Sequence, residues 1–242
     1  MAENGHKTEV VEYIFEFDNA QKESFRFVFD AQSYQLQVPA KQNLPDWTRL
    51  EFHQCSNCPL RKADYPHCPA AVALVDVLRR FDTIVSHDRV RLRVRAAERI
   101  VAQKTTAQSA IGSLMGLIMA TSGCPHPAVF RPMARFHLPV PSEEEVIYRV
   151  ASMYMLAQYF RYQTGKAMDH ELGGLTKIYR AMQKVNMALA ARFRAATETD
   201  SSVNALVLLD TYAQTMPLMI EDSLDDIRHV FSSWLSASSE YE

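Results

Sequence analysis

The chain has 242 residues, enough for one large domain or two modest ones whose core needs no disulfide staples. Hydrophobic residues make up 48% and charged ones 22%, which excludes an intrinsically disordered chain. A formal net charge of -2 excludes a uniformly basic chain and argues against a dedicated nucleic-acid or membrane-surface binder.

The opening stretch, residues 1–7, lacks the apolar core of a secretory signal. The longest apolar run, residues 110–120, is shorter than the roughly 20 residues a bilayer crossing needs. Both features predict a cytoplasmic protein without a membrane span. In that reducing compartment grouped cysteines favour metal or redox chemistry over structural disulfides.

Period-two alternation dominates the first part of the chain and predicts half-buried strands. In residues 10–17, Val11, Tyr13, Phe15 and Phe17 fall on one side, and residues 18–21 read as a turn. Phe25, Phe27 and Phe29 are in phase over residues 24–29, and residues 34–38 read as a third strand stopped by Pro39. Together these predict a small antiparallel meander with an aromatic core face. After a loop and a cysteine-rich stretch, Pro69 suits the first turn of a helix in which Val72, Val75, Leu78 and Phe81 recur at helical spacing, ending near Asp82. Alternation returns over residues 89–95, with Val90, Leu92 and Val94 inward and Arg91, Arg93 and Arg95 outward, and residues 98–105 read as its partner strand.

From Thr106 the period changes to that of helices. Residues 109–122 are almost uncharged, hence a buried helix, capped by Gly123. A long proline-rich loop follows to Pro141. Ser142 with Glu145 forms a capping box for a helix to about Tyr162, with Val146, Val150, Met153, Tyr154 and Ala157 as its core stripe and Gly165 past its end. Asp169 is expected to start the next helix, carrying Leu175, Ile178, Met182, Val185, Leu189 and Phe193. A further helix is expected from Asp200 or Ser201 through Leu206, Leu209 and Tyr212 to Met216. A last one starts at Pro217, with Ile220, Leu224, Ile227, Phe231 and Trp234, before a frayed tail. The expected fold class is α+β: an antiparallel sheet with one packed helix over residues 1–105, then an all-α helical bundle over residues 106–242.

The chemistry concentrates in the four cysteines: Cys55 and Cys58 as a Cys-x-x-Cys pair, Cys68 ten residues on, and Cys124 far downstream. Cys58, Cys68 and Cys124 are each followed by proline, which stiffens a ligand loop and removes a competing N–H. Thiolate is the soft anionic ligand that iron–sulfur clusters and zinc select, and four thiolates complete a shell. One pair plus two single cysteines is a spacing that [4Fe–4S] proteins use, so an iron–sulfur cluster is the leading expectation and structural Zn2+ the alternative. Buried free thiols and haem ligation through a Cys-Pro thiolate stay open. Since Cys55, Cys58 and Cys68 belong to the first part and Cys124 to the second, a shared centre would staple the two together.

The β-rich start with Cys-x-x-Cys-Pro-Leu and Cys-Pro, followed by Ser-Gly-Cys-Pro-His and Pro-Met-Ala-Arg-Phe-His-Leu-Pro, resembles a family of uncharacterised bacterial proteins over most of the chain. The resemblance implies a bacterial cytosolic protein and brings no activity with it.

Beside Cys124, His126, Arg131, Arg135 and His137 gather in the proline-rich loop. They form a candidate binding set for an anionic substrate, or for hydrogen bonds that tune a cluster. The alternative assigns the histidines to helix capping and the arginines to pairing with Glu143, Glu144 and Glu145. Arg79, Arg80, Arg89, Arg91, Arg93, Arg95, Arg99 and Lys104 form a basic stretch. It reads as a solvated face, or one paired within the chain to Glu221, Asp222, Asp225 and Asp226. Met115, Met119, Met153 and Met155 read as core filling. No phosphate loop, Gly-x-Ser-x-Gly elbow or His-Glu-x-x-His is present, so the familiar hydrolase signatures are absent. The functional expectation is therefore a cytosolic iron–sulfur redox or sensory protein. The alternatives are a zinc-stapled adaptor for a partner protein and an enzyme acting on an anionic small molecule at the His126–His137 loop.

Overall fold

The computed structural model describes residues 7–39, 43–96, 98–196 and 224–236, together with Val203, Asn204, Val207, Leu209 and Gln214. Aromatic and aliphatic residues alternating with charged ones build an antiparallel sheet from β1 (Thr8–Phe17), β2 (Lys22–Asp30), β3 (Arg89–Ala96) and β4 (Arg99–Thr106). The order across it is β2-β1-β3-β4. Two hairpins are therefore joined by the long-range pairing of β1 with β3, rather than strung as a simple meander. In the register, Tyr13 stands opposite Phe25 on one side and Val94 on the other, and Val94 opposite Val101, so one row of core-facing residues crosses the whole sheet.

On the other face the charges of β1 meet those of its neighbours. Glu12 lies within ion-pair range of Arg26 (3.9 Å) and Arg95 (3.8 Å), and Glu16 within range of Lys22 (3.2 Å) and Arg93 (3.9 Å). The counter-charges for the arginine strand thus come from the next strand. Of the acids expected to supply them, Glu221 and Asp222 lie outside the described residues, and Asp225 pairs with Arg228 at 3.4 Å. Such exposed pairs are each worth about 0–1 kcal/mol, so they set register more than stability.

The inner face is closed by α1 (Pro69–Arg80) and α2 (Ala107–Thr121). Phe81, at the end of α1, places its ring 4.9 Å from that of Phe15 and 5.3 Å from that of Phe25. Burying one such phenylalanine contributes about 1.5–3 kcal/mol. α2 is buried on nearly every side, Met115 and Met119 included, as its lack of charge predicts. It starts at Thr106, whose hydroxyl accepts from the Ser109 N–H, and stops at Gly123, whose φ of 92° is the left-handed conformation glycine tolerates.

Several expectations are corrected. Residues 34–38 form no strand beyond a single bridge between Phe29 and Leu36, because Tyr34 turns the backbone to φ 52° and the Leu36 N–H donates to the Thr121 carbonyl. The proline-rich loop winds into a 3-10 turn, Pro127–Phe130, and a short helix α3, Arg131–Arg135, each with proline in its first turn. α4 (Glu143–Gln163) has the expected capping box, yet its buried stripe is Ile147, Val150, Tyr154 and Gln158, rotated from the one foreseen. α5 (Gly173–Arg194) begins four residues after Asp169. The helix expected from Asp200 to Met216 lies mostly outside the described residues, as does the start of the last one. From Leu224 the chain makes a turn, a 3-10 segment (Arg228–Phe231) and a short helix (Ser232–Ser236) in place of a long helix.

The fold is α+β, an N-terminal four-stranded antiparallel sheet followed by helices. The chain divides into two compact units, Met1–Val140 with Ala181–Thr211, and Pro141–Arg180 with Tyr212–Glu242. The switch from strand to helix at Thr106 falls inside the first. Among the described residues no helix is long and apolar enough to cross a membrane.

Candidate metal centre

Three segments of the first unit deliver the cysteines. Cys55 and Cys58 flank a tight turn closed by the Cys58 N–H donating to the Cys55 carbonyl at 3.0 Å. Cys68 is the residue before α1, and its N–H donates to the Thr48 carbonyl at 2.8 Å. The Leu50 N–H donates to the Pro66 carbonyl at 3.0 Å, so the segment from Thr48 to Cys68 is a closed loop. Cys124 follows the left-handed Gly123 at the end of α2, its N–H bonded to the Ser122 hydroxyl at 3.3 Å.

These segments meet. A Cβ added to Gly123 would lie 3.9 Å from the Pro69 Cβ, which sets the Cys124 turn against the Cys68-Pro69 turn. The His126 ring donates to the Asn57 carbonyl at 2.7 Å, which sets the same turn against the Cys55–Cys58 knuckle. All four cysteines are free thiols; Cys68 and Cys124 are buried, and Cys55 and Cys58 half-buried. Burial pushes the Cys124 thiol up to about 12. The main-chain N–H of His126 opposes that rise, and the charges of Cys68, Cys55 and Cys58 add to it. Cys55 is pushed up to about 11, by burial first and then by Cys68 and Cys58, with Arg192 acting in the opposite sense. Among the described residues, no group of three or more histidine, cysteine, aspartate or glutamate side chains is placed to hold a metal ion. The thiols are neighbours rather than a closed coordination shell.

The residues predicted from the proline-rich loop separate. His126 belongs to the cysteine region. Arg135 pairs with Glu9 at 2.9 Å and lies over the Tyr34 and Phe136 rings, so its carboxylate partner comes from β1 and not from Glu143, Glu144 or Glu145. The His137 Nε2 bonds the hydroxyl of the buried Tyr13, which also contacts the Ser113 hydroxyl at 3.2 Å. Arg135 and His137 share a cleft with Glu9, Tyr34, Arg99 and Phe136. Arg131 stands apart, its Nε buried without a hydrogen-bond partner.

Sequence reasoning missed Arg192. It is 1% exposed on α5, and its guanidinium donates to the carbonyls of Trp47 (2.6 Å), Arg49 (2.7 Å) and Leu50 (2.8 Å). Its signal was available: it continues the buried stripe of Val185 and Leu189 at helical spacing, where a charge is out of place.

The chain belongs to the family described as a domain of unknown function, DUF6901, whose model matches residues 11–232. No curated protein and no solved structure matches it.

Proposed function

We propose that this DUF6901 member holds one metal centre, a [4Fe–4S] cluster, on Cys55, Cys58, Cys68 and Cys124, and uses it in redox sensing or electron transfer. The observation that carries the reading is the meeting of the three cysteine-bearing segments, with Gly123 against Pro69 and His126 on Asn57. The cysteines are up to 69 residues apart in sequence, and a fold that only needed small buried side chains has no reason to gather them.

The ligand chemistry fits. Four thiolates on one centre release their protons to it, and structural metal binding is worth on the order of 10 kcal/mol, comparable to the stability of a whole domain. A short shift of the turns at Cys55–Cys58 and Cys124 would complete the shell, and metal binding commonly supplies that ordering. The bacterial cytosolic setting implied by the motif resemblance keeps the thiols reduced. Burial of Cys68 and Cys124 would anchor such a centre, while half-exposed Cys55 and Cys58 leave it an edge open to an electron donor or oxidant.

Anaerobic purification followed by metal and sulfide analysis tests the proposal. The expected result is a brown protein with iron and acid-labile sulfide in equal amounts, lost in Cys68→Ser and Cys124→Ser. Stoichiometric zinc on a colourless protein would replace the redox role with a zinc-stapled adaptor. Absence of both metals, with all the thiols reacting freely with a small reagent, would overturn the centre itself.

A further inference from the structure

Arg192 poses a charge problem. It is 1% exposed, its three hydrogen bonds all end on main-chain carbonyls, and among the described residues no carboxylate pairs with it. A buried charge without a counter-charge costs several kcal/mol, and burial does pull its guanidinium below its ordinary range. The charges of Cys68, Cys55 and Cys58 act to restore it, so the cysteines are the groups near enough to balance this cation. Neutral thiols balance nothing. Thiolates on a cluster would, because their negative charge outweighs the positive charge of the iron–sulfur core.

The carbonyls that Arg192 holds lie at the mouth of the cysteine loop. Trp47, Arg49 and Leu50 surround Thr48, whose carbonyl takes the Cys68 N–H, and Leu50 bonds Pro66. The Trp47 ring meets the neighbouring Phe193 edge-on at 5.8 Å, which fixes the same turn on α5. The guanidinium fork therefore carries positive charge and also sets the base of the loop from which Cys55 and Cys68 emerge.

We propose that Arg192 is the built-in counter-cation of the centre, holding its couple at a higher reduction potential than four cysteines in an uncharged pocket would give. This rests on the reading that the cysteines hold a cluster. A cluster gains negative charge when it accepts an electron, so a fixed cation beside it stabilises the reduced form more than the oxidised one. Placing the cation on the clamp of the cysteine loop couples charge to structure: when the centre is lost, the buried guanidinium loses its balance and the turn at Trp47–Leu50 loosens.

The test uses the full chain, purified or reconstituted anaerobically with ferrous iron and sulfide and titrated with dithionite through mediator dyes. Arg192→Gln keeps donors for the carbonyls but removes the charge, Arg192→Lys keeps the charge but loses the fork, and Arg194→Met removes an exposed charge from the same helix. Arg192→Gln should lower the potential by at least a tenfold change in the one-electron equilibrium, about 59 mV. Arg192→Lys should stay within that margin of the unaltered protein, and Arg194→Met should not move it. A cluster that assembles in Arg192→Gln at unchanged potential would overturn the proposal and leave Arg192 as a structural clamp. If Arg192→Gln does not fold, Arg192→Lys decides: a potential lowered by tenfold or more, with the charge retained, would equally overturn it. An unaltered protein that takes up no iron or sulfide is a different outcome, in which the cluster reading fails and this one falls with it.

Discussion

His126 bridges two cysteine segments 69 residues apart: its ring Nε2 donates to the Asn57 carbonyl at 2.7 Å, and its main-chain N–H donates to the Cys124 sulfur. A carbonyl can only accept, so the ring proton sits on Nε2. The same residue thus supports a negative sulfur at Cys124 and braces the Cys55–Cys58 turn against it. Groups that hold ligands in place typically account for about 10–100-fold in metal affinity. In His126→Ala the anaerobic protein should lose iron to a chelator about 10–100-fold faster. His126→Gln, whose amide N–H can reach the same carbonyl, should restore most of the retention. Equal rates of loss in His126→Ala and the unaltered protein would show that the bond braces nothing.

The Tyr13 hydroxyl is a second joint, and its role is structural. It is buried between the Ser113 hydroxyl and the His137 ring, and the Val140 N–H donates to Ser113 at 3.2 Å. Burial holds the phenol far above its ordinary range, so it stays neutral at any accessible pH. Tyr13→Phe would leave buried polar atoms of Ser113 and His137 with fewer partners, at a cost of about 1–3 kcal/mol. Urea unfolding should show a lower midpoint with an unchanged slope, while iron content stays the same. If stability held and iron were lost instead, His137 would belong with the cysteines after all.

The sheet was legible because its residues obey one local rule. Val11, Tyr13, Phe15 and Phe17 alternate with charges whatever strand they pair with, so the strand is readable where the pairing of β1 with β3 is not. The third strand failed for a non-local reason: Leu36 gives its N–H to Thr121, a partner 85 residues away. On α4 the foreseen stripe missed Gln158, which is buried because its side-chain oxygen takes the Asp169 N–H, a bond no hydrophobic pattern encodes. The cysteines announced themselves by type and by the prolines behind them. Arg192 did not, because a buried arginine makes sense only once the carbonyls it serves are folded beneath it.

In the second unit, Gly174 is required for close approach rather than for flexibility. A Cβ placed there would fall on the Tyr154 hydroxyl and 3.1 Å from Asp169 Oδ2. Gly174→Ala improves helix propensity near the start of α5 by up to about 1 kcal/mol, which alone would stabilise the protein. Overpacking costs about 1–3 kcal/mol and should win, because the obstacle is a hydrogen-bonded tyrosine rather than the end of a flexible chain. The neighbouring Gly173→Ala, with nothing within 4 Å of the added atom, is the control and should be neutral or stabilising. Equal melting temperatures for the two variants would refute the steric argument.

Asp169 gives the pH prediction. Its Oδ2 accepts from the Gly174 N–H and from the Tyr154 hydroxyl, both at 2.7 Å. These bonds, the Gly174 one foremost, hold its carboxyl below the ordinary carboxylate range, while burial and then the Asp169 contact push Tyr154 up to about 12. A carboxyl with a lower pKa folded than unfolded binds more protons in the unfolded state, so it stabilises the fold increasingly as pH rises through that window. Its contribution is complete above the unfolded value of about 3.9 and disappears as pH falls through the folded one. Tyr154 stays protonated throughout and continues to donate. Other carboxylates titrate in the same range, so the quantity to follow is the difference in urea midpoint between the unaltered protein and Asp169→Asn. That difference should be constant from neutral pH to about pH 5, then shrink steadily below about pH 4. A difference that stays constant down to about pH 2 would mean that Asp169 contributes through shape and neutral hydrogen bonding, with its charge playing no part in stability.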